Sequence, residues 1–202
     1  MKVFISEFGS SILQLIGFCL IPFIWWLIAG RKKEKFFPWI GLKKPKCETK
    51  VWKVITIIVA VAAIYIVLTS MSIKFMPEGV TTAGSQFAGM GIFGIFAGIV
   101  YSFIRTALSE EIFFRGFLLK RVSSRWGFFV GNTVQALIFG LFHGVPFGLA
   151  TGKVGVTVLL TLLPGAIGWF EGWLSEKKFG GSIIPGWLLH GTVNLIATLT
   201  AL

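Results

Sequence analysis

The sequence predicts an all-α fold, a polytopic transmembrane helical bundle of about six to eight helices, each crossing needing about 20 mostly apolar residues. Three observations predict it. Hydrophobic residues make up 55% of the 202-residue chain, and the mean hydropathy is +0.84. Charged residues are only 13%, against about 25% in soluble domains. The apolar residues fall in long runs, separated by short segments rich in Gly, Pro, Lys and Arg.

The first run covers residues 10–29. Pro22 and the Trp25–Trp26 pair interrupt it, and no small-residue cleavage signature follows, so a retained helix is expected rather than a removed signal peptide. Nine of the 19 basic residues come next, between Arg31 and Lys53. The net charge of +11 could suit nucleic acid, but clustering between two apolar runs reads as a cytoplasmic loop under the positive-inside rule. Such a loop can touch anionic lipid; no nucleic-acid partner is expected.

A second run covers residues 54–73 and is followed by the linker MPEGVTTAGSQ. The third, 88–108, spaces Gly91, Gly94 and Gly98 along one helix, which allows close helix packing. No strand precedes these glycines and no Lys-Ser/Thr follows, so they are not a phosphate loop. Residues 109–121 form a further helix, either a short separate span or a continuation of the third. SSRWG is a turn; the later runs 128–142, 154–174 and 183–202 are divided by GVPFG and KKFGGS. Short turns make neighbouring helices antiparallel. Cys19 and Cys47 lack CxxC spacing and are assigned no redox or metal role.

Ionisable residues inside a membrane are costly and mark functional sites. Here they are Glu110, Glu111, Arg115, His143, Glu171 and His190. Glu111 and Arg115 are four apart, so on an α-helix they pair, while Glu110 points about 100° away. The arginine would neutralise one carboxylate and leave the other free. With Ser109 as cap, both carboxylates would sit in the first turn, where the helix dipole favours their ionised form. A glutamate so placed can be a general base; the bland alternative is a charge cluster that locks helices together.

FGLFHG places His143 four residues after Phe139, with Asn132 and Gln135 extending the polar face. Gly144 and Pro146 follow, which reads as a helix C-terminus. HGTVN places Asn194 four after His190, with Thr198 one step further. That pair could donate hydrogen bonds to a developing oxyanion or clamp two helices. Glu171, in WFEGW, lines the polar interior or sits near an interface. Glu110 and His143 both lie roughly 20–28 Å from the SSRWG turn at about 1.5 Å per residue, so they and His190 can share a level.

The chain contains no aspartate and no HExxH, which removes an aspartyl dyad and that zinc signature. A Glu with two His and an Asn remains. It can activate water by general base catalysis or hold a metal with water in the open position.

EEIFFR, FGLFH and HGTVN, in that order on separate apolar helices, resemble the EExxxR, FxxxH and HxxxN motifs of the CPBP intramembrane protease family. This is the CAAX protease or Abi family, whose eukaryotic relatives are the type II CAAX prenyl endopeptidases. FRGFLLKR and GSIIPGWLLHGTVN add to the likeness, which covers roughly residues 107–201. The resemblance implies a helical bundle with a conical polar cavity. Residues 1–87 would be N-terminal transmembrane helices with the basic loop, and 88–202 the catalytic core.

It implies that Glu110 and His143 hold and activate the water, that His190 and Asn194 stabilise the oxyanion, and that Glu111 and Arg115 support the motif helix. The reaction would be cleavage of a membrane-associated peptide or protein terminus in the cell membrane, with no cofactor favoured. A zinc ion on Glu110, His143 and His190 is the alternative. Prenylated CAAX ends, bacteriocin self-immunity and peptide maturation are the roles the family offers. A non-enzymatic immunity or peptide-binding protein competes with the protease. A small transporter with a Glu/His proton relay competes less well, because no pair of broken helices marks a repeat.

Overall fold

A computed structural model describes residues 1–47, 49–73 and 83–201. Among them there is no strand. The helices are α1 (Lys2–Ala29), α2 (Phe36–Trp39), α3 (Val51–Ile73), α4 (Gly91–Val100), α5 (Lys120–Thr151), α6 (Val154–Trp173) and α7 (Ile184–Leu199). Between α4 and α5 the backbone winds wider, as π-helix, over Tyr101–Leu108 and Glu111–Leu119. Lys2–Ala29, Val51–Ser72, Gly91–Thr151 and Val154–Lys178 are long and apolar enough to cross a membrane. The all-α membrane bundle expected from composition is the fold observed.

Several boundaries differ from expectation. α1 starts at Lys2, well before residue 10, and the charge in its first turns, Glu7, is buried against Arg105. The basic loop contains α2, which is wedged into aromatic contacts of Phe36 with Phe23 and Trp26. Glu48 and the 76–82 part of the MPEGVTTAGSQ linker lie outside the described residues; Ala83–Phe87 forms a tight 3₁₀ turn. The motif helix continues the third span rather than standing apart.

GVPFG is helical, not a loop: α5 passes through Pro146 and ends at Gly152, whose N–H bonds Gly148 O at 2.8 Å. Membrane-spanning helices tolerate proline because neighbouring helices, side chains and local adjustment of the winding re-satisfy the freed backbone group. The SSRWG turn appears as a break at Gly127, with φ 81° and ψ 164°. That region is essentially restricted to glycine.

The chain forms two compact units. The first comprises Met1–Lys44, Thr81–Gly116 and Ile183–Leu202. α1 exposes most of its apolar side chains and buries Glu7, Ser11 and Pro22, the pattern of a helix bathed in lipid. α7 packs on the Tyr101–Leu108 segment. Trp187 Nε1 donates to Phe103 O at 2.7 Å, and a side chain on Gly191 would overlap the Phe103 ring. Gly98 lies against Thr198, whose Cγ2 would be 2.9 Å from an added Cβ. Gly94 faces the Phe87 carbonyl. Close packing thus explains Gly94 and Gly98, whereas Gly91 touches nothing and instead opens α4 with φ +57°.

The second unit comprises Pro45–Val80 and Phe117–Ser182. α5 and α6 meet along a glycine stripe: Gly140, Gly144 and Gly148 approach the Thr157 and Thr161 backbone and side chains too closely for a Cβ. Asn132 Nδ2 donates to Trp169 O at 2.9 Å, and Gln135 Nε2 to Gly168 O at 2.9 Å. These carboxamides therefore clamp α5 to α6; they do not extend a reactive face from His143. Lys120 pairs with Glu176 and donates to Gly181 O at 2.9 Å.

Candidate active site

The first unit gathers most of the residues singled out by sequence. His190 stands between the two carboxylates of the motif helix. Its Nδ1 lies 3.3 Å from Glu111 Oε1, and its Nε2 lies 3.5 Å from Glu110 Oε2. Adjacent side chains on an α-helix diverge by about 100°, and the expectation of one paired and one free carboxylate followed from that. The two glutamates sit where the π-helical segments meet, and their carboxylates reach different nitrogens of one ring. Wide turns of this kind are frequent at functional sites.

The two carboxylates differ in environment. Glu111 is fully buried, and its Oε1 also meets Arg115 Nη1 at 3.2 Å, the expected i, i+4 pair. The Glu110 side chain keeps 15% of its exposure. Its Oε2 is buried and makes no hydrogen bond among the described residues. Glu111 Oε2 likewise makes no hydrogen bond among the described residues, so the two carboxylates differ in exposure: only Glu110 keeps part of its surface.

Ser109 does not cap a helix. The chain is helical on both sides of it, and its hydroxyl donates to Ile104 O at 3.2 Å. No helix N-terminus supports the carboxylates; their partners are local, Arg115 and the His190 imidazole.

Asn194, one turn beyond His190 on α7, donates from Nδ2 to Thr106 Oγ1 at 2.9 Å. Thr198, a further turn along, is 3.5 Å from Ser102 Oγ. Residues 190, 194 and 198 thus meet 110, 106 and 102 in a three-rung polar ladder. Each step of four along one helix matches a step of four back along the other, as antiparallel neighbours require. Thr106 and Ser102 were absent from the sequence reading, although their four-residue spacing to Glu110 was visible.

A second polar group was also missed. Arg105 Nη1 pairs with Glu7 Oε2 at 3.0 Å, and Gln14 Nε2 donates to Arg105 O at 2.8 Å. Ser11 Oγ donates to Glu7 Oε1 at 3.2 Å. Glu7, Ser11 and Gln14 are spaced as one face of α1, and that spacing was the available signal.

His143 and Glu171 belong to the second unit. His143 is half-buried in mid-helix, not on a last turn, because α5 continues to Thr151. Its Nδ1 is 2.8 Å from Phe139 O. A carbonyl only accepts, so Nδ1 carries the proton and Nε2 keeps the lone pair. Glu171 is buried in α6.

Long apolar helices with buried carboxylates and imidazoles define a multi-pass helical membrane protein. Residues 95–196, half of the chain, match the family described as Type II CAAX prenyl endopeptidase Rce1-like. The chain belongs to that family, and is thereby a member of a CAAX-type protease family. Neither a curated protein nor a solved structure matches it.

Proposed function

We propose that this protein is an intramembrane endopeptidase that hydrolyses a peptide bond in a membrane-associated peptide or protein terminus. The observation that carries the reading is the contrast between Glu111, wholly buried and paired with Arg115, and Glu110, part-exposed with its carboxylate beside the His190 imidazole. Residues 88–202 form the catalytic core. Glu110, with His143 Nε2, takes a proton from water as the oxygen attacks the peptide carbonyl. The tetrahedral oxyanion accepts hydrogen bonds from His190 and Asn194. Collapse expels the amine, which takes its proton from Glu110. Glu111 orients His190 through Nδ1, and Arg115 balances Glu111.

A zinc-dependent form of the same protease is the second reading. In both histidines Nδ1 is occupied, by a carbonyl or a carboxylate, which turns Nε2 away from that partner; Nε2 of His190 faces Glu110. That is how zinc-binding histidines are held. With Glu110 they make up a three-ligand set, and zinc would polarise the carbonyl and acidify water. Asn194, held as a hydrogen-bond donor, favours the metal-free route.

Glu110→Gln tests the reading: cleavage disappears while yield and helical circular dichroism stay at wild-type levels. Wild-type cleavage in that variant removes the enzyme assignment. A non-enzymatic immunity protein would keep its cellular phenotype in the same variant. Undiminished cleavage after exhaustive chelation, with metal analysis at background, decides against zinc. Comparing peptides from cells with and without the gene identifies the substrate.

A further inference from the structure

We infer that Thr106 is a positioning residue that aims the Asn194 carboxamide at the reacting carbonyl; this rests on the oxyanion role proposed for Asn194. A threonine hydroxyl has one proton and two lone pairs. The Thr106 hydroxyl donates within its own helix, to Ser102 O at 2.9 Å or Tyr101 O at 3.1 Å. With its proton committed there, Oγ1 faces Asn194 only as an acceptor. The group 2.9 Å away must therefore be the NH2 of Asn194 and not its oxygen. The carbonyl–hydroxyl–amide chain leaves one carboxamide orientation.

Asn194 Nδ2 has two N–H bonds, and Thr106 occupies one. The side chain makes no other hydrogen bond among the described residues. The second N–H is thus a donor whose direction is set in advance. Oxyanion stabilisation depends on such preset dipoles, which need no reorganisation as charge develops. Without the Thr106 hydroxyl, the carboxamide could turn over and present oxygen to the oxyanion. The neighbouring rung, Thr198 with Ser102, and the Gly98 contact hold α7 at this spacing, so the Thr106 hydroxyl is free to act on orientation rather than on packing.

The chain has two asparagines, Asn132 and Asn194. Selective 15N-asparagine labelling therefore gives two side-chain NH2 signals, assigned with Asn132→Ser. In the wild-type protein one Asn194 Nδ2 proton should exchange with solvent much more slowly than its geminal partner. That difference should vanish in Thr106→Val and persist in Thr106→Ser. On an internally quenched farnesyl-CAAX peptide, Thr106→Val should lower kcat about tenfold, less than the about 10²–10³-fold expected when an oxyanion donor is removed outright. KM should stay near its wild-type value, and Thr106→Ser should restore kcat. Equal exchange of both Asn194 protons in the wild type overturns the inference and needs neither a variant nor a substrate. So does full kcat in Thr106→Val where Asn194→Ala is inactive. Full activity in Asn194→Ala instead overturns the oxyanion reading itself.

Discussion

Two adjacent glutamates should fail in opposite ways. Glu111 is wholly buried, and one of its oxygens meets both Arg115 and His190. Glu111→Gln keeps the shape and removes the charge, leaving the buried guanidinium without that counter-ion. Breaking a buried pair from one side costs about 3–5 kcal/mol. Glutamine still offers an oxygen to both donors, so the lower end, about 3 kcal/mol, is expected. For a chain of this length each kcal/mol moves Tm by about 2–4 °C, which gives a fall of about 6–12 °C.

Glu110 is part-exposed, and its Oε2 makes no hydrogen bond among the described residues. Glu110→Gln should therefore shift Tm by less than about 3 °C. Tryptophan fluorescence, from eight tryptophans, reports the melts in a single detergent. Combining Glu111→Gln with Arg115→Met should recover part of the loss, because the guanidinium that lost this counter-ion is then gone too. Equal shifts in the two single variants would refute the reasoning, as would a Glu111→Gln melt indistinguishable from wild type.

Gly127→Ala forces a side chain into φ 81° and should cost about 1–3 kcal/mol in denaturant titration; an unchanged midpoint would mean that the break is not glycine-dependent. Gly144→Val sets a Cβ about 2.5 Å from Thr157 O, so α5 and α6 must part, with a loss of about 1–3 kcal/mol by the same assay. Counting one crossing per long run, with Gly127 dividing Gly91–Thr151, places the basic loop, Arg125 and Lys177 on one side. In a background lacking Cys19 and Cys47, Ser124→Cys and Lys177→Cys should both react with impermeant maleimide from the cytoplasmic face. Reaction from opposite faces contradicts the count.

Where local spacing decides the outcome, the sequence was readable. The i, i+4 relation of Glu111 and Arg115, and of His190 and Asn194, placed those residues on shared faces, and the ion pair and ladder follow from it. Spacing failed where a distant ring comes between neighbours: nothing in SEEIFF says that one imidazole, about 80 positions on, meets both Glu110 and Glu111 through its two nitrogens. Polar side chains with distant partners were also opaque. Glu7 meets Arg105 across 91 or more positions of apolar sequence, as does Gln14. Pro146 misled because in a membrane-spanning helix packed neighbours can re-satisfy the backbone group that a proline frees.

The matched four-residue steps on α7 and its partner give the ladder a strict phase. Deleting one residue between Thr106 and Glu110 would rotate half of one side and uncouple the rungs above from those below. Point substitutions on the lipid-facing flanks leave that phase intact. The joint therefore tolerates variation in grease and none in length, like a key whose blade can be repainted but not recut.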